Sequence, residues 1–341
     1  LALAAIELVG AAQAQGSAGP NASMPVEGPN VLVVDGRVRG YELHLPVAAR
    51  APGADAGAAG DATGATEAGS AAGAPDVAGA PLVILLHGRG GTGAGMRDIT
   101  DFDAVADAHG LVVAYPDGIA HEWNYTRGLP GYEKVEDADR DDVVFLATLA
   151  EHLVTSLGLD ADRTYLAGFS NGGFMTNRVA CERPDLFAAY GSVGGAGFGG
   201  MTQLCSNEAP AAFLVMHGTA DPIVPWDGFS VRSEDGREAE ILMSVPHAFA
   251  YWATRAGCDD EGQRSSIPET GASPGTRVEL LGVGGCATGG QVILVAVVGG
   301  GHVWPGVRSL PEESLGRVNM DIDAGDMLWG FFEANPRRHA P

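Results

Sequence analysis

The stretch Leu166-Ala167-Gly168-Phe169-Ser170-Asn171-Gly172-Gly173 decides the fold. An apolar run of strand length, Thr164 to Ala167, enters Gly-x-Ser-x-Gly, and a helix-period segment, Met175 to Cys181, follows. In that context the serine sits on a strained turn from strand to helix with its hydroxyl exposed, and the glycines allow close backbone approach. The string alone is weak evidence in a chain with 51 Gly, so its weight comes from the strand before it and the partners after it.

Outward from this turn, strand-length apolar runs alternate with helix-period segments. The strands are Leu82 to Leu86, Leu111 to Tyr115, Ala189 to Val193, Phe213 to His217 and Val292 to Val298. The helices are Phe102 to His109, Asp142 to Leu157, Val245 to Ala256 and Ala324 to Ala334. Such alternation predicts an α/β fold with a mostly parallel central sheet and helices on both faces. Upstream, Val31 to Val34, Asp35-Gly36 and Tyr41 to Leu45 predict two strands joined by a tight turn. Residues 48–80 are nearly all Ala, Gly, Asp, Thr, Pro and Ser, with Val77 the sole sizeable apolar residue, and read as a disordered insertion in a surface loop. The start, Leu1 to Leu8 followed by Ala12-Gln13-Ala14, resembles the end of a secretory signal cleaved after Ala14. Residues 15–341 then form a single catalytic domain, and no repeat argues for a solenoid.

A serine hydroxyl needs a base within hydrogen-bond reach and an acid to hold that base, in the order Ser, acid, His for this fold. Asp221, in His217-Gly218-Thr219-Ala220-Asp221-Pro222, and His302, in Gly299-Gly300-Gly301-His302-Val303-Trp304-Pro305-Gly306, each follow an apolar strand. Both therefore fall in loops at carboxyl ends of strands, where open α/β sheets place their sites. The expected oxyanion donors are the backbone N–H of Asn171 and one from Leu86-His87-Gly88-Arg89-Gly90-Gly91, with Arg89 favoured over Gly90. That Gly-rich loop lacks the Lys-Ser/Thr of a phosphate-binding loop. Trp123, Phe169, Trp226 and Trp304 are expected to line the substrate cleft, and Trp252 to sit in the core.

The formal charge of −23, with Lys134 the only lysine, leaves little to neutralise phosphates, so nucleic-acid binding is not expected. No run of 18 uncharged apolar residues predicts a membrane span. The acidity is read as solubility. The run Glu136-Asp137-Ala138-Asp139-Arg140-Asp141-Asp142 lacks the pattern of a Ca²⁺ loop and reads as solvated, ending in a helix N-cap at Asp141 or Asp142. His87 and His217 are expected to support loops; no metal and no cofactor is expected. Cys181, Cys205, Cys258 and Cys286 show no C-x-x-C spacing, and an even count in an exported chain favours two disulfides. Three connectivities are formally open, of which the sequence-local one, Cys181 with Cys205 and Cys258 with Cys286, is preferred.

Taken together, His87-Gly88-x-Gly90-Gly91, Tyr115-Pro116-Asp117-Gly118, Trp123-Asn124, Asp141-Asp142-Val143, the Ser170 turn, His217-Gly218-Thr219-x-Asp221-x-x-Val224-Pro225 and the His302 loop resemble the poly(3-hydroxybutyrate) depolymerase and feruloyl esterase family of secreted α/β hydrolases. The resemblance covers roughly residues 30–335. It implies Ser170 as nucleophile, Asp221 as acid, His302 as base and the same two disulfides. Many relatives carry a vicinal cysteine pair soon after Trp-Asn; Tyr125 to Gly131 has none, so the cleft wall differs. The expectation is a secreted serine carboxylesterase acting on a polyester, silenced when His302 is protonated. Its rivals are a feruloyl or acetyl esterase of plant polysaccharide and an inactive polymer-binding protein on the same fold. The expected partner is an ester substrate, including an insoluble polymer; the sequence sets no oligomeric state.

Overall fold

The computed structural model describes residues 24–47, 76–129, 139–206, 212–232, 236, 238–259, 262–287, 290–307 and 312–337. The signal-like residues 1–14 and residues 48–75 of the low-complexity stretch lie outside them. In chain order the elements are β1 (Gly28–Val34), β2 (Arg37–His44), β3 (Leu82–Leu86), α1 (Gly93–Thr100), α2 (Phe102–His109), β4 (Val112–Pro116), α3 (Asp142–Leu157), β5 (Thr164–Phe169), α4 (Asn171–Glu182), β6 (Ala189–Val193), β7 (Ala212–Gly218), β8 (Phe229–Arg232), β9 (Glu238–Leu242), α5 (Val245–Arg255), β10 (Gln263–Ile267), β11 (Arg277–Val283), β12 (Val292–Val298), α6 (Glu312–Leu315) and α7 (Ala324–Ala334).

Every residue of β3, β4 and β6 is buried, as strands covered on both faces require. The strands form a sheet in the order β1-β2-β4-β3-β5-β6-β7-β12-β11-β10. From β4 through β12 neighbouring strands are parallel, and antiparallel pairs flank both edges. The alternation of side chains along each strand divides the core in two. Leu82, Ile84 and Leu86 of β3 meet residues of α3, α4 and α5 on one face. Val83 and Leu85 meet residues of α1, α2 and α7 on the other.

The β1–β2 turn has positive φ at both Asp35 (48°) and Gly36 (75°), the two-residue geometry whose twist matches a hairpin. Residues 76–80, read from sequence as part of the insertion, are instead ordered. Val77 is buried, Ala80 N–H donates to Val77 O (2.9 Å), and Gly79 N–H donates to Gly158 O (2.8 Å) at the end of α3. One apolar anchor and these backbone bonds suffice to bring the chain back to β3. The short α1, with two glycines, is capped by Thr92, whose Oγ1 accepts from Gly95 N–H (3.0 Å). Disulfides join Cys181 to Cys205 and Cys258 to Cys286. They tie the end of α4 to the segment after β6, and the end of α5 to the segment after β11.

Candidate active site

Ser170 stands between β5 and α4 with φ 54° and ψ −115°, a conformation L-residues rarely adopt. Its N–H donates to Val193 O (2.8 Å) on β6, and its carbonyl accepts the Phe174 N–H (3.0 Å) of α4. The flanking glycines are obligatory on steric grounds. A Cβ on Gly168 would lie 2.3 Å from Gly172 O, and one on Gly172 would lie 2.5 Å from Leu86 O. The turn is thus pressed against its own helix and against the end of β3.

The loops after β7 and β12 are stitched to each other. Thr219 N–H donates to Val297 O (2.9 Å), Ala220 N–H to Gly300 O (2.9 Å), and Gly299 N–H to Thr219 Oγ1 (2.9 Å). His302 N–H donates to Leu315 O (2.6 Å) of α6. A Cβ on Gly218 would meet Gly300 O and Gly301 O at 2.4 Å, and one on Gly301 would meet Leu315 O at 2.0 Å, which explains a glycine in each motif. This stitching brings Ser170, His302 and Asp221 into one hydrogen-bonded chain. Ser170 Oγ–H donates to His302 Nε2 (2.8 Å), and His302 Nδ1–H donates to Asp221 Oδ2 (2.7 Å). Burial opposes charge on Asp221, but hydrogen bonds from His217 and His302, the attraction of His302 and the Val224 N–H together hold its carboxyl below the ordinary range. A base so oriented can accept the serine proton while the carboxylate balances the resulting imidazolium.

The two loop donors expected for an oxyanion, Arg89 and Gly90, follow His87 and Gly88. Gly90 N–H donates to His121 O (2.7 Å) and is therefore engaged. The Arg89 side chain is exposed and pairs with Glu122 (3.2 Å). Asn171 opens α4, where N–H groups lack helical acceptors. Its side chain grips the Trp123 peptide from both sides: Oδ1 accepts Trp123 N–H (2.6 Å) and Nδ2 donates to Trp123 O (3.3 Å).

Two of the expected cleft aromatics are not at the surface. Trp123 is 1% exposed, donates its indole N–H to His87 O (3.0 Å) and stacks on Phe145. Trp304, also 1% exposed, packs edge-on to Phe169 in the core. Phe169 and Trp226 are half-buried; the Phe169 ring lies 5.0 Å from that of His302, and Trp226 stands edge-on to His217. Trp252 is buried against Phe213, as expected.

The acidic run needs correction at its end; residues 136–138 lie outside the described residues. Asp141 does cap α3, accepting Val144 N–H (3.1 Å). Arg140 and Asp142 are not solvated but buried. Asp142 Oδ1 pairs with Arg39 Nη1 (2.9 Å), and Oδ2 accepts from Arg140 Nε (3.2 Å) and Asn124 N–H (2.8 Å). The Arg39 guanidinium lies over the Phe145 ring at 3.7 Å. Nothing local in the sequence marks Arg39, on β2, as the partner. His87 is a brace: its Nε2 accepts Gly118 N–H (2.9 Å) while Nδ1–H donates to Gly88 O (2.7 Å), and burial lowers its pKa. Asp117 accepts Gly93 N–H (2.7 Å), joining the end of β4 to α1. Among the described residues no group of three or more His, Cys, Asp or Glu side chains is placed to hold a metal ion, and no helix is long and apolar enough to cross a membrane.

Residues 63–246 match the family described as "Esterase PHB depolymerase", a span that contains Ser170 and Asp221. The chain belongs to the esterase PHB depolymerase family. "Putative esterase NocK" of Nocardia uniformis subsp. tsuyamanensis is 33% identical over 286 residues, 81% of this chain and 73% of that one. "Feruloyl esterase B" of Piromyces equi is 27% identical over 231 residues, 65% of this chain and 39% of the relative's length. The native crystal structure of pOPH superposes with a TM-score of 0.50 at 14% identity, covering 94% of both chains, and shares the α/β-hydrolase fold. As a member of the esterase PHB depolymerase family, the chain is a carboxylic ester hydrolase.

Proposed function

We propose that Ser170, His302 and Asp221 form the catalytic triad of a secreted serine carboxylesterase whose substrate is a polyester. The observation that carries this reading is the position of His302, within hydrogen-bond distance of both Ser170 Oγ (2.8 Å) and Asp221 Oδ2 (2.7 Å). Ser170 attacks the ester carbonyl as His302 takes its proton. The N–H groups of Asn171 and Arg89 stabilise the tetrahedral oxyanion, and His302 then protonates the departing alcohol. Water, deprotonated by His302, hydrolyses the acyl-enzyme and frees Ser170. Labelling by a fluorophosphonate tests the assignment: the wild type reacts and Ser170→Ala does not. Hydrolysis persisting in a folded Ser170→Ala variant sinks it.

A polyester is favoured by exposed apolar side chains on the segment that follows Asp221. Ile223, Phe229 and Val231 are 54%, 52% and 42% exposed, on the loop and the β8–β9 hairpin that lead away from Trp226. Such side chains suit adsorption to an apolar solid better than the binding of a hydrated polysaccharide. The second reading, feruloyl ester hydrolysis, is supported by the relatives of that name and by the flat faces of Phe169 and Trp226. Product analysis on polyhydroxybutyrate, an aromatic polyester and feruloylated xylan separates the two. Two disulfides fit an oxidising compartment, which favours export. We read residues 15–341 as one catalytic domain into which the low-complexity stretch is inserted.

A further inference from the structure

Asp221 has more partners than a triad acid requires. Its Oδ1 accepts the N–H groups of Ile223 and Val224, both at 2.8 Å. Its Oδ2 accepts His302 Nδ1–H and also faces His217 Nε2 at 3.3 Å. His217 lies on β7, four residues before Asp221, and its ring is buried. The same Nε2 is 2.9 Å from Val224 O. A carbonyl and an ionised carboxylate only accept, so Nε2 must carry the hydrogen and share it between them. Nδ1 is buried with no hydrogen-bond partner among the described residues. A proton there would create a buried donor with nothing to receive it, so the geometry fits the neutral ring.

We propose that His217 is a positioning residue of the active site: its Nε2–H holds Asp221 Oδ2 and the Val224 carbonyl together, fixing the carboxylate plane along which His302 is oriented. The proposal rests on the triad reading above. It assigns a role to the histidine of the His217-Gly218-Thr219-x-Asp221 motif. The ionisable groups in hydrogen-bond contact here are Asp221, His217 and His302, with Ser170 completing the chain. Two imidazole N–H groups share Oδ2, so each draws on its charge. Removing the His217 donor concentrates that charge on His302 and favours the imidazolium. The basic form of His302 is then reached only at higher pH.

The test compares His217→Leu, which lacks the donor, with His217→Gln, whose side-chain N–H reaches a similar position. Rates are normalised to sites titrated by fluorophosphonate. We expect kcat per titrated site in His217→Leu to fall about 10- to 100-fold with KM nearly unchanged, the effect of one lost hydrogen bond to a charged group. The acid limb of its pH–rate profile should move to higher pH, and His217→Gln should recover most of both. A merely structural histidine would lower the number of titratable sites without moving the acid limb. A per-site kcat within about twofold of wild type and an unmoved acid limb overturn the proposal. If His217→Leu does not fold, ¹⁵N NMR of the wild type decides: the hydrogen of His217 on Nε2 supports the proposal, and on Nδ1 overturns it. Hydrolysis by folded Ser170→Ala would instead indict the triad itself, so the two failures are distinguishable.

Discussion

Replacing Asp142 by Asn tests whether the buried charges behind the Ser170 turn hold that turn in place. In the native protein the Asp142 carboxylate pairs with two buried guanidiniums, Arg39 at 2.9 Å and Arg140 at 3.2 Å, and accepts the Asn124 N–H at 2.8 Å. Asparagine keeps the volume but removes the charge, and its NH₂ would face one guanidinium as donor against donor. Loss of two hydrogen bonds to charged groups, at about 1.5–3 kcal/mol each, gives roughly 3–6 kcal/mol. Breaking a buried ion pair by removing one partner gives an independent figure of about 3–5 kcal/mol, so the two routes agree. Against a total stability of about 5–15 kcal/mol the variant should fold, but with a much lower urea midpoint. Urea unfolding followed by tryptophan fluorescence, with the disulfides intact, measures this. Asn124 adjoins Trp123, whose peptide is gripped by Asn171, so kcat should fall while KM stays near wild type. A double-mutant cycle with Arg39→Gln should be strongly non-additive, the double variant losing less than the sum. A destabilisation below about 1 kcal/mol, or an additive cycle, would refute the reasoning.

Three further outcomes are expected. His44 is buried, which opposes its charge, yet the hydrogen bonds its ring donates to the carboxylates of Asp103, Glu27 and Asp107 raise its pKa to about 9. Its folded value exceeds its unfolded one, about 6.5, so its contribution is complete below pH 6.5 and is lost as pH rises through about 9. Urea unfolding at pH 6.5, 8 and 9.5 should show a decline on the order of 2 kcal/mol that His44→Gln lacks; equal slopes would remove His44 from the account. Trp304→Ala should destabilise by about 3–5 kcal/mol, as for a buried aromatic, whereas Trp226→Ala should leave the unfolding midpoint near wild type and change KM on aryl esters. The reverse pattern would restore Trp304 to the cleft. Gly172→Ala forces a Cβ to within 2.7 Å of two backbone carbonyls, Leu86 O and His87 O, and should abolish labelling of Ser170 even where the protein remains soluble.

What sequence made legible was whatever is encoded locally. The strand runs of β3, β6 and β12 and the helices α2, α3 and α7 begin and end where the apolar patterns do. The Ser170 turn is a strand, a strained corner and a helix within one short stretch. The two disulfides close short sequence separations, 24 and 28 residues. Side-chain direction and distant partners are not encoded locally. Trp123 and Trp304 stand beside site loops in sequence, but adjacency does not say which way a ring turns, and both turn inward. Arg140 and Asp142 look solvated because their run is charged; their burial depends on Arg39, a partner on β2 that no spacing rule connects to them.

The motifs that surround the hydrogen-bonded chain of Ser170, His302 and Asp221 share one physical task. Asp117 ties the end of β4 to α1, and His87 ties the loop after β3 to Gly118. Trp123 takes that same loop by its indole N–H and receives the Asn171 side chain on its peptide, while Asp142 holds Asn124 from behind. On the other side Thr219, Ala220 and Gly299 join the Asp221 and His302 loops. Each bond fixes backbone rather than contacting the space where an ester would lie. Stabilising a developing oxyanion depends on donors already in place, so the proposed role of the Asn171 and Arg89 N–H groups draws on these braces. The same logic explains why substrate is the least legible property: the bonds that hold backbone leave their mark in short motifs, whereas the half-buried Phe169 and Trp226 and the exposed Phe229 and Val231 belong to no such bond.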